Sequence, residues 1–299
     1  MERFVKSIEI HNKQARYYDF ATLMSESIDD SKPSAHFYGG NGFPAGVYEP
    51  LLTKLSTKLN LTSLAMRGYW FDQPNNKVLT REKDADMLIE FLIQTQSKPI
   101  IGIGHSQGAS AMMLAAVRRP DLFSALFIIE PVTFTRIQAS VYKLIKWIPR
   151  YFILNQEPFK STLKKQSDWE STENYYQFLR QHRAYKRITD EHLRTFAKHS
   201  LVPKSISNEE GYTMLFPPKQ ELANYFSAPY ITGALKRFNK INMPYTILLG
   251  KPSLFISDKV RSSWQGIVPT EQLTLFPNHG HLLPIETPEE CANIILQRI

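Results

Sequence analysis

Three residues of chemical interest stand out first: a serine early in the chain and two histidines near its end. Ser106 lies in Gly104-His105-Ser106-Gln107-Gly108, directly after the apolar run Ile100-Ile101-Gly102-Ile103 and directly before Ala109 to Val117, a strongly helical stretch. Glycine two positions to either side of a serine, between a buried strand and a helix, suits a tight and strained turn. Such a turn pushes the hydroxyl out at the carboxyl edge of a sheet. A serine hydroxyl attacks only when a neighbouring base takes its proton. Asn278-His279-Gly280-His281 offers two such bases just ahead of Glu286-Thr287-Pro288-Glu289, where the final helix is predicted to start. The pair is not expected to hold a metal, because no third ligand has supporting spacing.

The elements that must position these groups follow an alternating order. Phe4 to Ile10 and Ala15 to Phe20 alternate around His11-Asn12-Lys13 and read as a hairpin. Ser34 to Tyr38 reads as a short strand that ends in the loop Gly39-Gly40-Asn41-Gly42-Phe43-Pro44. A helix over Tyr48 to Leu59, a strand over Leu61 to Met66, a helix over Lys83 to Thr95 and a buried strand over Pro99 to Ile103 follow. The helix Gln107 to Arg118 and the strand Ala125 to Ile129 complete this half. From Val132 to about Lys240 the rhythm breaks into helices and loops with no convincing buried strand. It resumes at Tyr245 to Leu249 and Gln272 to Phe276, and closes with a helix over Pro288 to Gln297. This order predicts an α/β fold with a mostly parallel sheet covered by helices on both faces. The core comprises residues 1–131 and 241–299, and residues 132–240 form an inserted helical cap.

Composition sets bounds on partners. Of the 299 residues 42% are hydrophobic and 21% charged, which is ordinary for a globular chain with a large core. No window holds the roughly 18 apolar residues of a membrane span, and the first residues run straight into a strand pattern. A soluble, unexported, cytoplasmic protein is expected. Cys291, the one cysteine, rules out an internal disulfide and sits on a predicted amphipathic helix, where burial is the ordinary fate of a thiol. The net charge is +8, and residues 132–240 carry 18 Lys and Arg against 9 Asp and Glu. Such a field can draw in an anionic substrate or a membrane surface, or be a solvated face. No nucleic-acid motif or long basic run accompanies it, so nucleic acid is not expected as a partner.

With these motifs in place, the chain resembles the α/β-hydrolase superfamily, and within it a bacterial branch with Asn-Gly-Phe-Pro-Ala after the third strand, here Asn41 to Ala45. The resemblance covers the core and only loosely the cap. It implies that the base follows glycine and precedes an apolar pair and Glu-x-Pro, as in Gly280-His281-Leu282-Leu283 and Glu286-Thr287-Pro288; His281 is therefore expected as the base, with His279 second. The acid usually stands three residues after the glycine ending the penultimate strand, where this chain has Ser253. Some relatives carry it instead at the end of the strand after the elbow helix, which implies Glu130, with Asp258 as the alternative. The oxyanion hole is expected to combine the backbone N–H of Gln107 with that of Asn41. Relatives often have histidine where Gly39 stands.

The chemistry so implied is acyl transfer to water through an acyl-enzyme on Ser106, with no metal and no organic cofactor. Members that open epoxides or displace halide attack with an aspartate at the elbow, which Ser106 excludes. An ester is the leading substrate, with thioester or carbon–carbon bond hydrolysis as alternatives and a non-catalytic binding protein as a reading of another class. In the cap, Trp147, Tyr151, Phe152, Trp169, Tyr175, Tyr176, Phe178 and Tyr185 read as cap core, interleaved with Lys143, Lys146, Arg150, Arg180, Arg183 and Arg187. A small hydrophobic ester suits such a pocket, and the basic surplus allows it an anionic group or lets the cap touch a membrane surface.

Overall fold

The computed structural model describes residues 4–20, 31–72, 78–137, 140, 150–204, 210–227, 230–253 and 256–299. Strand β1 (Val5–Ile10) and strand β2 (Lys13–Asp19) form an antiparallel hairpin. Its two turn residues, His11 and Asn12, both take the left-handed region, at φ 50° and 57°. Two consecutive positive φ values match the twist of the flanking strands, which is why short hairpins favour this turn. The next elements are β3 (Ser34–Tyr38), helix α1 (Glu49–Ser56), β4 (Asn60–Leu64), α2 (Arg81–Thr95), β5 (Ile100–His105), α3 (Gln107–Arg118) and β6 (Phe123–Ile129). Thr80 starts α2 by accepting a hydrogen bond from the backbone N–H of Lys83.

The segment between the two sheet halves holds α4 (Arg150–Leu154), α5 (Phe159–Leu163), β7 (Asp168–Trp169), α6 (Thr172–Gln181), α7 (Asp190–Ser200), β8 (Leu201–Pro203), β9 (Tyr212–Met214), α8 (Pro218–Asn224) and α9 (Thr232–Ile241). The last part contains β10 (Tyr245–Lys251), α10 (Asp258–Gln265), β11 (Leu273–Pro277), α11 (Leu283–Glu286) and α12 (Pro288–Gln297). The main sheet has eight strands in the order β1-β2-β4-β3-β5-β6-β10-β11. From β4 to β11 all neighbours pair parallel, and β2 alone runs antiparallel to its neighbours, β1 and β4. Helices α2, α3 and α9 pack together as one layer, and α1 packs against α12 as the other. Every residue of β5 is buried, as expected of a central parallel strand covered on both faces.

The segment 132–240 departs from an all-helical reading. Strands β7, β9 and β8 form a three-stranded antiparallel sheet of their own. At two or three residues each, these strands are too short to leave an alternating pattern in the sequence. Of the aromatic residues expected as cap core, Trp169, Tyr175 and Tyr176 are buried, whereas Phe152 and Phe178 are exposed. Trp147, Lys143 and Lys146 lie outside the described residues. Cys291 is fully buried, near the Leu283 carbonyl, and burial pushes its thiol up, out of the reactive range.

Candidate active site

Strand order decides which loops meet. The chain passes from β3 outward to β4 and then back across to β5, so β3 and β5 flank the point where the winding reverses. In open parallel sheets the crevice at such a point, beyond the carboxyl ends of the strands, receives ligands. Here the loop after β3 lies on one side of β5, and the ends of β6, β10 and β11 lie on the other.

The reversal after β5 falls on Ser106, at φ 55° and ψ −117°. For a side chain with a Cβ that conformation costs of order 1–3 kcal/mol and persists only where the surroundings enforce it. Its own backbone N–H donates to Ile129 O at 3.0 Å, so the sheet ladder holds the strained residue in place. The flanking glycines supply close approach: a Cβ on Gly108 would lie 2.1 Å from Tyr38 O, and one on Gly104 would lie 2.6 Å from Ala109 Cα. The sequence reading of a tight strand-to-helix turn rests on this packing.

The structure brings Ser106, His281 and Glu130 into one chain of contacts. Ser106 Oγ is 2.9 Å from His281 Nε2, and His281 Nδ1 is 3.2 Å from Glu130 Oε2. Because an ionised carboxylate only accepts, the proton of a neutral His281 belongs on Nδ1, which leaves Nε2 free to accept from the serine. Ser106 and His281 are each 6% exposed, and Glu130 is completely buried. Glu130 directly follows β6, at φ 46°, and its N–H still donates to Leu248 O across the ladder, at 2.9 Å. Its Oε1 accepts from the Gly250 N–H at 2.6 Å, and its Oε2 accepts from the Ser253 hydroxyl at 2.5 Å. Ser253, the residue at the family's usual acid position, therefore serves Glu130 as a donor.

The other sequence candidates lie elsewhere. Asp258 begins α10, its side chain is 84% exposed, and its carboxylate pairs with Arg261. His279 is partly exposed, with Nδ1 on Pro277 O at 3.2 Å. On the opposite side of β5, Gln107 is the first residue of α3, so its N–H has no acceptor within the helix. In the loop after β3, the Gly40 N–H donates to the Tyr48 hydroxyl and the Phe43 N–H to Gly40 O. Among the described residues the N–H groups of Asn41 and Gly42 carry no hydrogen bond. The Asn41 side chain is held from α8: its Nδ2 donates to Glu221 O at 3.0 Å, and its Oδ1 accepts from Asn224 Nδ2 at 2.9 Å.

Two supporting networks had no signal in the sequence beyond the residues themselves. His105, buried beside the serine, accepts from the Tyr48 hydroxyl at Nδ1, 2.7 Å, and donates from Nε2 to the backbone O of His281, 2.8 Å. Burial pulls its imidazole down to about 3, with the neighbouring His281 ring acting in the same direction and the bond to His281 O opposing it. It is therefore neutral at ordinary pH, as a ring that accepts at one nitrogen and donates at the other must be. Behind Gln107, the buried Asp84 accepts from the Tyr38 hydroxyl and, at 3.1 Å, from Gln107 Nε2. Burial pushes the Asp84 carboxyl up to about 6, against those two hydrogen bonds. In the loop of the base, Glu286 Oε2 accepts the Gly280 N–H at 2.7 Å.

No group of three or more metal-ligating side chains occurs among the described residues, and no helix there is long and apolar enough to cross a membrane. The sequence model of the alpha/beta hydrolase family matches residues 35–294, and the chain belongs to that family. The abhydrolase domain-containing protein AKT2 of Alternaria alternata is 24% identical over 229 residues, which cover 66% of this chain and 82% of that protein. Among solved structures the fold is similar to E-2-(acetamidomethylene)succinate hydrolase, with a TM-score of 0.75 and 16% identity over 98% of both chains. It is likewise similar to the thioesterase domain from the curacin biosynthetic pathway, with a TM-score of 0.72 and 15% identity over 98% of both chains.

Proposed function

We propose that the protein is a serine hydrolase that cleaves an ester or related acyl substrate through an acyl-enzyme on Ser106. The observation that carries this reading is the unbroken contact chain from Ser106 Oγ through His281 to Glu130, at 2.9 and 3.2 Å. His281 Nε2 takes the serine proton as the hydroxyl attacks the acyl carbon, and the imidazolium so formed keeps its Nδ1–H on Glu130. The proton then passes to the leaving group. Water enters with His281 as base a second time, and the acyl group departs as a carboxylic acid. The developing oxyanion is received by the N–H groups of Gln107 and Asn41, each worth roughly 3–4 kcal/mol of transition-state stabilisation.

In this reading residues 132–240 act as a cap inserted into the core, and α8 sets the oxyanion loop through Asn41. The names of the two similar structures, E-2-(acetamidomethylene)succinate hydrolase and a thioesterase domain, are both compatible with acyl transfer to water. Labelling with a fluorophosphonate probe tests the proposal. The folded wild-type protein is expected to label and Ser106→Ala is not; a wild-type protein that stays unlabelled overturns it.

A further inference from the structure

Just beyond the oxyanion loop, a lysine and a glutamate face each other inside the cap. Lys165 Nζ lies 2.7 Å from Glu221 Oε2, with side chains 25% and 11% exposed. Glu221 presses on the loop itself, since a Cβ on Gly42 would sit 2.8 Å from its carboxyl carbon. Gly40, two residues earlier, is against the nucleophile, as a Cβ there would sit 3.2 Å from Ser106 Cβ. Neighbouring α-carbons are about 3.8 Å apart, so the α-carbons of Gly40 and Gly42, the two places where the loop meets Ser106 and Glu221, are separated by no more than about 8 Å. A second wall runs outward from the elbow. The Phe43 ring packs on His105, Phe196 on Phe43 at 5.7 Å, and Tyr185 on Phe196 at 5.4 Å.

Ion pairs removed from bulk water are seldom worth more than apolar packing of the same size, so stability alone is a weak reason for this one. Counting donors gives a better reason. An ammonium has three N–H donors. Among the described residues Glu221 is the one hydrogen-bond partner of Lys165 Nζ, and the Tyr185 hydroxyl has none. The Tyr185 hydroxyl is not sealed from solvent, and the Lys165 side chain keeps a quarter of its surface exposed. Burial alone would pull the Lys165 ammonium down, but Glu221, Tyr175 and Tyr185 hold it above the usual lysine range. The lysine therefore stays charged, with two donors to spare, and Tyr185 adds a third.

We propose that Lys165 and Tyr185 form a substrate subsite that receives an acceptor oxygen, the carbonyl or carboxylate at the far end of the acyl chain, a few carbons from the bond cleaved at Ser106. This rests on the hydrolase reading and adds to it the chemical class of the acyl group. Glu221 orients the lysine while its own charge is offset by that lysine and by Tyr225, whose hydroxyl is 3.5 Å from Glu221 Oε1.

The test compares three p-nitrophenyl esters of one shape: 5-methylhexanoate, with an apolar end, and the glutaryl esters ending in a carboxamide or a carboxylate. Wild-type kcat/KM is expected to favour at least one acceptor-ended ester by about ten- to a hundredfold, the range of one or two hydrogen bonds to a charged donor. The carboxamide and carboxylate arms tell a carbonyl from an anion as the preferred end. Lys165→Met and Tyr185→Phe are expected to bring that preference close to one, mainly through KM. Tyr185→Phe removes a hydroxyl that has no hydrogen-bond partner among the described residues, so a selective loss there points to substrate contact. Equal turnover of all three esters by wild type overturns the subsite and leaves the hydrolase standing, as does an unaltered preference in both variants. If no ester is cleaved and Ser106 stays unlabelled, the hydrolase reading fails instead. The subsite is then read by calorimetric binding of glutaramic acid to the full chain: binding at least tenfold weaker in both variants supports it, and equal or absent binding overturns it.

Discussion

The two sides of the crevice are built on different principles. On the sheet side, each residue has at least one bond in which a backbone group takes part: Ser106 with Ile129, Glu130 with Leu248 and Gly250, and His281 through its carbonyl with the His105 ring. On the side formed by residues 132–240, the cap side in the proposed reading, the ties include bonds between side chains far apart in sequence, such as Asn41 with Asn224 and Lys165 with Glu221. Backbone rungs tolerate many sequences, whereas side-chain ties depend on particular residues. In the proposed reading the sheet side therefore holds the chemistry common to any acyl substrate, and the cap side holds what distinguishes one substrate from another.

The comparison breaks most visibly if sheet-side changes fail to abolish turnover. Ser106→Ala is expected to lower kcat by about a million-fold on every ester, with an unchanged melting temperature as the check on folding. Glu130→Gln follows, with a loss of about 10³ to 10⁴ in kcat, because the amide can present a donor to His281 Nδ1 and stabilise the wrong tautomer. Asp258→Asn should alter kcat less than twofold; a greater loss there than in Glu130→Gln would move the acid to Asp258. On the cap side, Asn224→Ala removes one anchor of Asn41 and is expected to cost about tenfold in kcat/KM. Its effect should differ from ester to ester, and a uniform loss would erase the proposed division of labour.

The last effect concerns stability rather than turnover and belongs to the sheet side. Burial holds His36 and His105 down to about 3, so below about 6.5 the unfolded chain takes up two protons that the folded one refuses. Stability from these two groups is complete above that pH and is lost as pH falls toward 3. Asp84, raised to about 6, acts in the opposite sense: between about 6 and 3.8 the folded chain holds a proton that the unfolded one releases. Two histidines against one carboxyl leave a net acid destabilisation of about 1.4 kcal/mol per pH unit in that window. Melting temperatures from pH 7 to 4.5 should fall, and more steeply in Asp84→Asn, which removes the counterweight. A shallower fall in that variant would contradict the assignment.

Much of the sheet side is legible in the sequence. Apolar runs mark β5 and β6, the glycines around Ser106 mark the turn, and Gly280-His281 before Glu286-Thr287-Pro288 marks the loop that returns to it. The contact between Ser253 and Glu130 is not legible, because 123 residues separate them and each is unremarkable in its own surroundings. Neither is the bond between Tyr48 and His105, although both residues are plain to see. Residues 132–240 are the least legible part. Their strands are shorter than the period that would reveal them, and aromatic residues at helical spacing do not declare which face turns inward, so Phe152 and Phe178 read as core from the sequence yet are exposed. Side-chain ties carry no periodicity, and such ties, like that of Asn224 to Asn41, join residues 132–240 to the oxyanion loop of the proposed reading.

Ser106 and Glu130 are rungs of the ladder as well as members of the contact chain, since their amides donate to Ile129 O and Leu248 O. Amides bonded within a central sheet exchange with deuterium only when the strands part, whereas an amide with no acceptor waits for nothing but solvent. Deuterium uptake at Ser106 and Glu130 should thus lag by orders of magnitude behind that at Asn41. A ligand that fills the crevice would slow Asn41 and leave the two ladder amides unchanged, so isotope exchange at three backbone positions would report occupancy of the site without any turnover.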